Sequence, residues 1–209
     1  DVEGEREINI VLEKYNSGST ERAIYLLNEQ INDRGVKIDL PFVEQAYAIN
    51  EVHSKIILDE IRHLTGVSNP KSVQQLSSWI SQAINKEIKS LAKEDVLDLI
   101  ESVEDVTVLR VLRLRQMSSK SSISKYTAML NCVCKSGRGH GFFQFYGAMR
   151  TGRFAGRLVQ LQNLTRNYLK DLEFAKNEVV TGDYDSVQLL FGDVADTLSQ
   201  LIRTSFVAK

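Results

Sequence analysis

Between Pro41 and Leu64 apolar side chains return at Val43, Ala46, Ile49, Val52, Ile56 and Leu64, close to the 3.6-residue period of an α-helix. A strand alternates with period two and cannot present that pattern on one face. The run therefore predicts a long amphipathic helix, with Pro41 suited to its first turn. Similar periods predict helices at 2–16, 20–33, 93–102 and 104–117, and Asn69–Pro70 repeats the start signal for a helix through Ile84. Ser19 and Thr20 open the second of these and Gly35 closes it. INDRGVKID reads as a turn into an extended piece, and Trp79 as a core residue.

After Ser118 the texture changes. SSKSSISK is polar, Ser-rich and basic, and leads into a short helix at about 125–132. GRGHG, residues 137–141, reads as a loop. FFQFYGAM, aromatic and bounded by glycines, reads as a strand, with RFAGRLV as its partner. Helices are predicted again at 167–180 and 194–206, joined by TGDYDS. The expected fold is mainly α, a helical bundle with a small antiparallel β element in the last third.

A hydrophobic content of 43% with 25% charged residues is that of a soluble globular protein. No apolar run is long enough to span a bilayer, and the acidic start DVEGERE is unlike a signal peptide. A cytoplasmic chain without membrane partners is the expectation. Cys132 and Cys134 stand too close for an ordinary disulfide and have no second Cys pair or His cluster to complete a zinc site, so they read as reduced thiols.

The net charge of −1 conceals a strong asymmetry. From Val106 to Lys170 the chain holds 12 of its 26 Lys and Arg residues and none of its 27 Asp and Glu residues. Ordinary solvated faces mix both signs. A segment of one sign is the footprint expected for a polyanion, nucleic acid foremost. Within it, Arg110, Arg113 and Arg115 ride on one predicted helix, while Ser118, Ser119, Lys120, Ser121, Ser122 and Lys125 offer hydroxyls, ammonium groups and a helix start. Such groups hold phosphates and sugars without reading sequence. Arg153, Gln162 and Asn163 can donate to the acceptors that every base pair shows in the minor groove.

Other motifs carry less. The glycines of GRGHG precede the strand, whereas a nucleotide-cradling loop needs them after a strand and before a helix. Asp183 and Asp185 could bridge metal ions, but in TGDYDS they suit a turn and a helix cap. His53, His63 and His140 are scattered, with no nucleophile pattern beside them. No catalytic and no metal-binding residue is assigned.

Thr151-Gly152-Arg153, followed by Leu161-Gln162-Asn163-Leu164 and Arg166, resembles the Thr-Gly-Arg…Leu-Gln-Asn-Ile-Pro-x-Arg signature of family A DNA polymerases, the DNA polymerase I type. RGVKID, NPKSVQQL, RQMSSKSSISKY and LIRTSFVA resemble further elements of that family in the same order, over about residues 31–209, with wording nearest to phage and prophage members. Thr165 stands where the family usually has Pro. Some 30 residues also separate the Asn motif from LIRTSFVA where bacterial enzymes have a short link.

The resemblance implies an exonuclease-like terminal helix at 1–19, a helical thumb at 20–132 and a palm-entry segment at 133–209. It implies that Arg115, Lys120, Ser121, Ser122, Lys125 and Tyr126 hold the template-primer backbone, and that Thr151, Arg153, Gln162, Asn163 and Arg166 lie near the primer terminus. Partners would be template-primer DNA and the remainder of a polymerase chain. The parent would extend primers with Mg2+, using palm carboxylates expected beyond Lys209. This chain would then need no cofactor and would be inactive alone, a piece lying between two active sites. Two other readings remain open on the residues alone: a free-standing helical nucleic-acid-binding or assembly protein, and a phosphate-binding enzyme built on GRGHG.

Overall fold

The computed structural model describes residues 2–15, 18–118 and 121–208, excepting the Ser121 side chain. The described residues form ten α-helices and two small antiparallel sheets, in agreement with the mainly α expectation.

Helix α1 (Val2–Leu12) and helix α2 (Ser19–Arg34) precede strand β1 (Val36–Lys37). Helix α3 (Leu40–Thr65) is the axis of the molecule. Pro41 sits in its first turn, the Asp39 side chain accepts from Phe42 N at 3.3 Å, and Gly66 closes it in the left-handed conformation. Helix α4 (Val73–Ile84) is capped by Ser72, and α5 (Lys93–Ser102) and α6 (Val106–Ser118) complete the first half.

The second half opens with α7 (Ser124–Cys132). Strand β2 (Arg138–Gly139) pairs with β1, so GRGHG is part strand rather than wholly loop. Strands β3 (Phe143–Ala148) and β4 (Arg153–Gly156) form a hairpin with an irregularity between Gln144 and Ala148. Beyond β4 the backbone takes left-handed values at Leu158 and Gln160, which ends the strand before the predicted RFAGRLV is complete. A 3-10 turn, Leu161–Asn163, follows.

Helix α8 (Leu172–Thr181) starts later than predicted, because Asp171 caps it by accepting from Phe174 N at 2.9 Å. TGDYDS opens a further helix, α9 (Tyr184–Phe191), which the sequence pattern concealed in eight residues. Asp183 accepts from Asp185 N at 3.2 Å and from the Ser186 hydroxyl, so it serves as a cap. Helix α10 (Val194–Leu201) ends sooner than predicted, in a 3-10 turn, Ile202–Ser205.

Two hydrophobic cores form along α3. Its first half sets Phe42, Val43, Ala46 and Ile49 against Tyr126 and Met129 of α7 and against apolar residues of α8, α9 and α10. Its second half sets Ile57 and Ile61 against Leu76, Ile80, Val96, Val108 and Leu112. The buried stripe is thus 49, 53, 57, 61, whereas Val52 and Ile56, expected inside, are nearly half exposed. His53 stands in that stripe at the seam between the cores, its Nδ1 3.1 Å from the Tyr184 hydroxyl. Trp79 packs half-buried on the second core.

Candidate nucleic-acid interface

Ser122, Tyr126 and Thr165 are tied to α10, a helix of which almost every residue is buried. The Ser199 hydroxyl lies 2.8 Å from that of Ser122 and 3.2 Å from that of Thr165. The Lys125 amine, which burial pulls below its usual pKa, donates to the Val159 carbonyl at 2.5 Å. Those bonds bring the Ser-rich segment before α7 to the strip that follows β4, some 40 residues later in the chain. Arg203 completes the attachment by donating to the carbonyls of Thr165 and Leu164 at 3.0 and 3.1 Å.

The hairpin sets the other residues. Thr151 and exposed Arg153 flank its turn, where Gly152 has a φ of 64° and donates to the Ala148 carbonyl. At Gly156, at the end of β4, a Cβ would overlap Gln162 Oε1 and stand 3.0 Å from the Gln160 Cα, so the glycine leaves room for the Gln162 side chain. The Gln162 side chain therefore crosses the strand that carries Arg153. Exposed Asn163 donates its amide to Gln160 Oε1 at 3.3 Å, and Arg166 is exposed beyond it.

Hydrogen bonds thus link Ser122 to Thr165 through Ser199 and Lys125 to Val159, while Arg153, Gln162, Asn163 and Arg166 follow on the exposed chain around β4 and the turn after it. Arg115 belongs to the last turn of α6 and is half-buried. Lys120 and the Ser121 side chain lie outside the described residues. Tyr126 is core rather than surface: it is fully buried, its hydroxyl donates to the Leu198 carbonyl at 2.7 Å, and burial raises its pKa far above the usual tyrosine range.

The electrostatics explain why cations can be fixed here and still act at a distance. Arg110 meets a carboxylate, Glu60, through two bonds of 2.5 and 2.8 Å that hold its guanidinium above its ordinary pKa. Arg138 instead donates to the carbonyls of Arg34 and Gly35, Lys125 to that of Val159, and Arg157 to Gln144 Oε1. A neutral acceptor orients a cation without cancelling its charge. Arg113, Arg150, Arg153, Arg166 and Lys170 are exposed on the same acid-free segment.

Sequence reasoning missed Ser199, Gln200 and Gly156. The first two stand among four polar residues of Val194–Leu201, so the sequence alone did not single them out. Arg157, without a role in the sequence, ties β4 to β3 through Gln144. Leu158, two residues beyond β4, is 56% exposed.

Among the described residues no three His, Cys, Asp or Glu side chains converge as a metal site would require, and no helix is long and apolar enough to cross a membrane. The chain is 45% identical over 207 residues to a protein named DNA polymerase from Bacillus phage SP02, a match covering 99% of this chain. It spans 32% of that relative's length. No family model and no solved structure matches.

Proposed function

We propose that this chain is the template-primer-holding part of a phage-type, family A DNA-directed DNA polymerase. Residues 20–132 act as the thumb, residues 133–209 as the entry to the palm, and residues 1–19 as the terminal helix of an exonuclease-like domain. The observation that carries the reading is the acid-free segment whose two halves meet on the Ser199 hydroxyl. The similarity to a protein named DNA polymerase supports it.

In this reading Arg115, Lys120, Ser121 and Ser122 hold phosphates, which positions the duplex without reading sequence. Arg153, Gln162 and Asn163 donate to minor-groove acceptors common to all correct base pairs, with Thr151 and Arg166 beside them. Lys125 and Tyr126 position that surface, through the Val159 carbonyl and the core respectively. The parent enzyme would add nucleotides to a primer 3′ end in the bacterial host cytoplasm, with DNA and the rest of its own chain as partners.

The Mg2+ ions of such an enzyme need paired carboxylates. Among the described residues no three His, Cys, Asp or Glu side chains converge, and no step of the chemistry is assigned to them.

The test is binding of a primer-template duplex by the 209-residue chain across a salt series. Affinity should fall by about one logarithmic unit per phosphate contact for each tenfold rise in salt. Arg153→Ala should weaken binding across unrelated sequences alike. Absence of binding at low salt, or robust primer extension by this chain, would overturn the reading.

A further inference from the structure

From Thr165 to Lys170 the chain forms neither helix nor strand, yet its burial alternates residue by residue. Thr165, Asn167 and Leu169 are half-buried, while Arg166, Tyr168 and Lys170 are exposed. Alternation of period two is how an extended chain lies on a surface. The surface here is α10 with the turn after it. The Ser199 hydroxyl meets that of Thr165, Gln200 Oε1 accepts from the backbone N–H groups of Tyr168 and Leu169 at 2.5 and 2.8 Å, and Arg203 holds the Leu164 and Thr165 carbonyls. Ser199 and Gln200 are each 5% exposed, so the inner edge of this ribbon is fixed by buried polar groups.

Its outer edge is a short row of cation, aromatic ring and cation. The Tyr168 side chain is 75% exposed, and the backbone bond to Gln200 holds its position without engaging the ring. The next carboxylate along the chain, Asp171, accepts from Phe174 N as the cap of α8. The row continues directly from Asn163 and Arg166. A duplex presents phosphates and base edges, and an exposed ring between two cations finds nothing to stack on there. A single strand presents both, since its unstacked bases lie on aromatic rings while cations track its phosphates.

We infer that Arg166, Tyr168 and Lys170 form a second nucleic-acid contact, a stacking platform for a single strand leaving the duplex. Tyr168 offers its ring to a base, and Arg166 and Lys170 meet the neighbouring phosphates. The inference rests on the template-primer reading above.

The test compares two labelled DNAs of equal paired length at low salt, one blunt and one with a single-stranded overhang of about 10 nucleotides, within the range such sites cover. Tyr168→Ala should weaken binding of the overhang substrate about tenfold and leave the blunt duplex within about twofold. Tyr168→Phe, which keeps the ring, should bind as the unaltered chain does. Lys170→Ala should lower the salt slope on the overhang substrate by about one. The inference is overturned if Tyr168→Ala binds both substrates normally while Arg153→Ala weakens both, or if Tyr168→Ala weakens both equally. If the unaltered chain binds neither DNA, the template-primer reading itself fails and this inference falls with it.

Discussion

The Gln162 side chain occupies the space that a Cβ on Gly156 would fill. A residue proposed to sense base-pair geometry is therefore aimed by the absence of an atom six positions earlier. The Gln160 Cα stands 3.0 Å from the same point, so a Cβ there would require Gln162 to turn aside and the Gln160 backbone to give by a small amount.

Gly156→Ala should accordingly displace Gln162 and strain the 3-10 turn. Overpacking of this kind costs about 1–3 kcal/mol. A thermal melt should show the loss, and duplex affinity should fall to that of Gln162→Ala. If the alanine variant melts and binds normally, Gln162 is not held in this way.

Ser199→Ala removes the hydroxyl shared by Ser122 and Thr165 and leaves both facing a buried helix. The expected loss is about 1–2 kcal/mol. It should appear in urea as a lower midpoint with an unchanged slope. Because the bond joins two segments of the basic surface, DNA affinity should fall as well.

Tyr126 makes stability depend on alkaline pH. Burial holds its folded pKa well above the unfolded value of 10.0. The unfolded chain therefore releases this proton first, and above that value it binds fewer protons than the native state. Stability from this group is fully present below pH 10 and is lost progressively above it. Tyr126→Phe should lose about 1 kcal/mol at neutral pH, where its bond to the Leu198 carbonyl is missing, and should show a shallower decline above pH 10.

Lys176 joins three elements at the base of α3. Its amine donates to Asp39 Oδ2 at 2.5 Å and to the Thr204 carbonyl at 3.1 Å, and lies 5.1 Å from the centre of the Phe42 ring. Lys176→Met should cost about 1 kcal/mol, since the pair is largely but not fully shielded from solvent. Asp39→Ala should cost more, because that carboxylate also caps α3. Equilibrium unfolding of both variants tests the order.

Much of this was legible in the sequence. The helices were found because their apolar stripes run for several turns and because Ser19, Thr20 and Pro41 mark starts and Gly35 a stop. Errors came where tertiary packing chose among equivalent local patterns. Val52 and Ile56 satisfy a helical stripe as well as His53 and Ile57 do, and the seam between two cores decided for the second pair. Helix α9 has too few residues to establish a period. The acid-free segment was visible as a census of charge, but its closure onto Ser199 was not, because a serine in a helix does not announce a partner 77 positions away.

Helix α3 runs unbroken through both cores, and 26 residues at 1.5 Å each make it about 39 Å long. It is a lever. One arm is clamped by Lys176 through Asp39, while the other carries α4, α5 and α6. A tilt of about 5° about the clamped end would sweep Thr65 through about 3 Å, the width of one hydrogen bond. Small adjustments where α10 holds the basic strip would in this way become whole-contact displacements at the far helices.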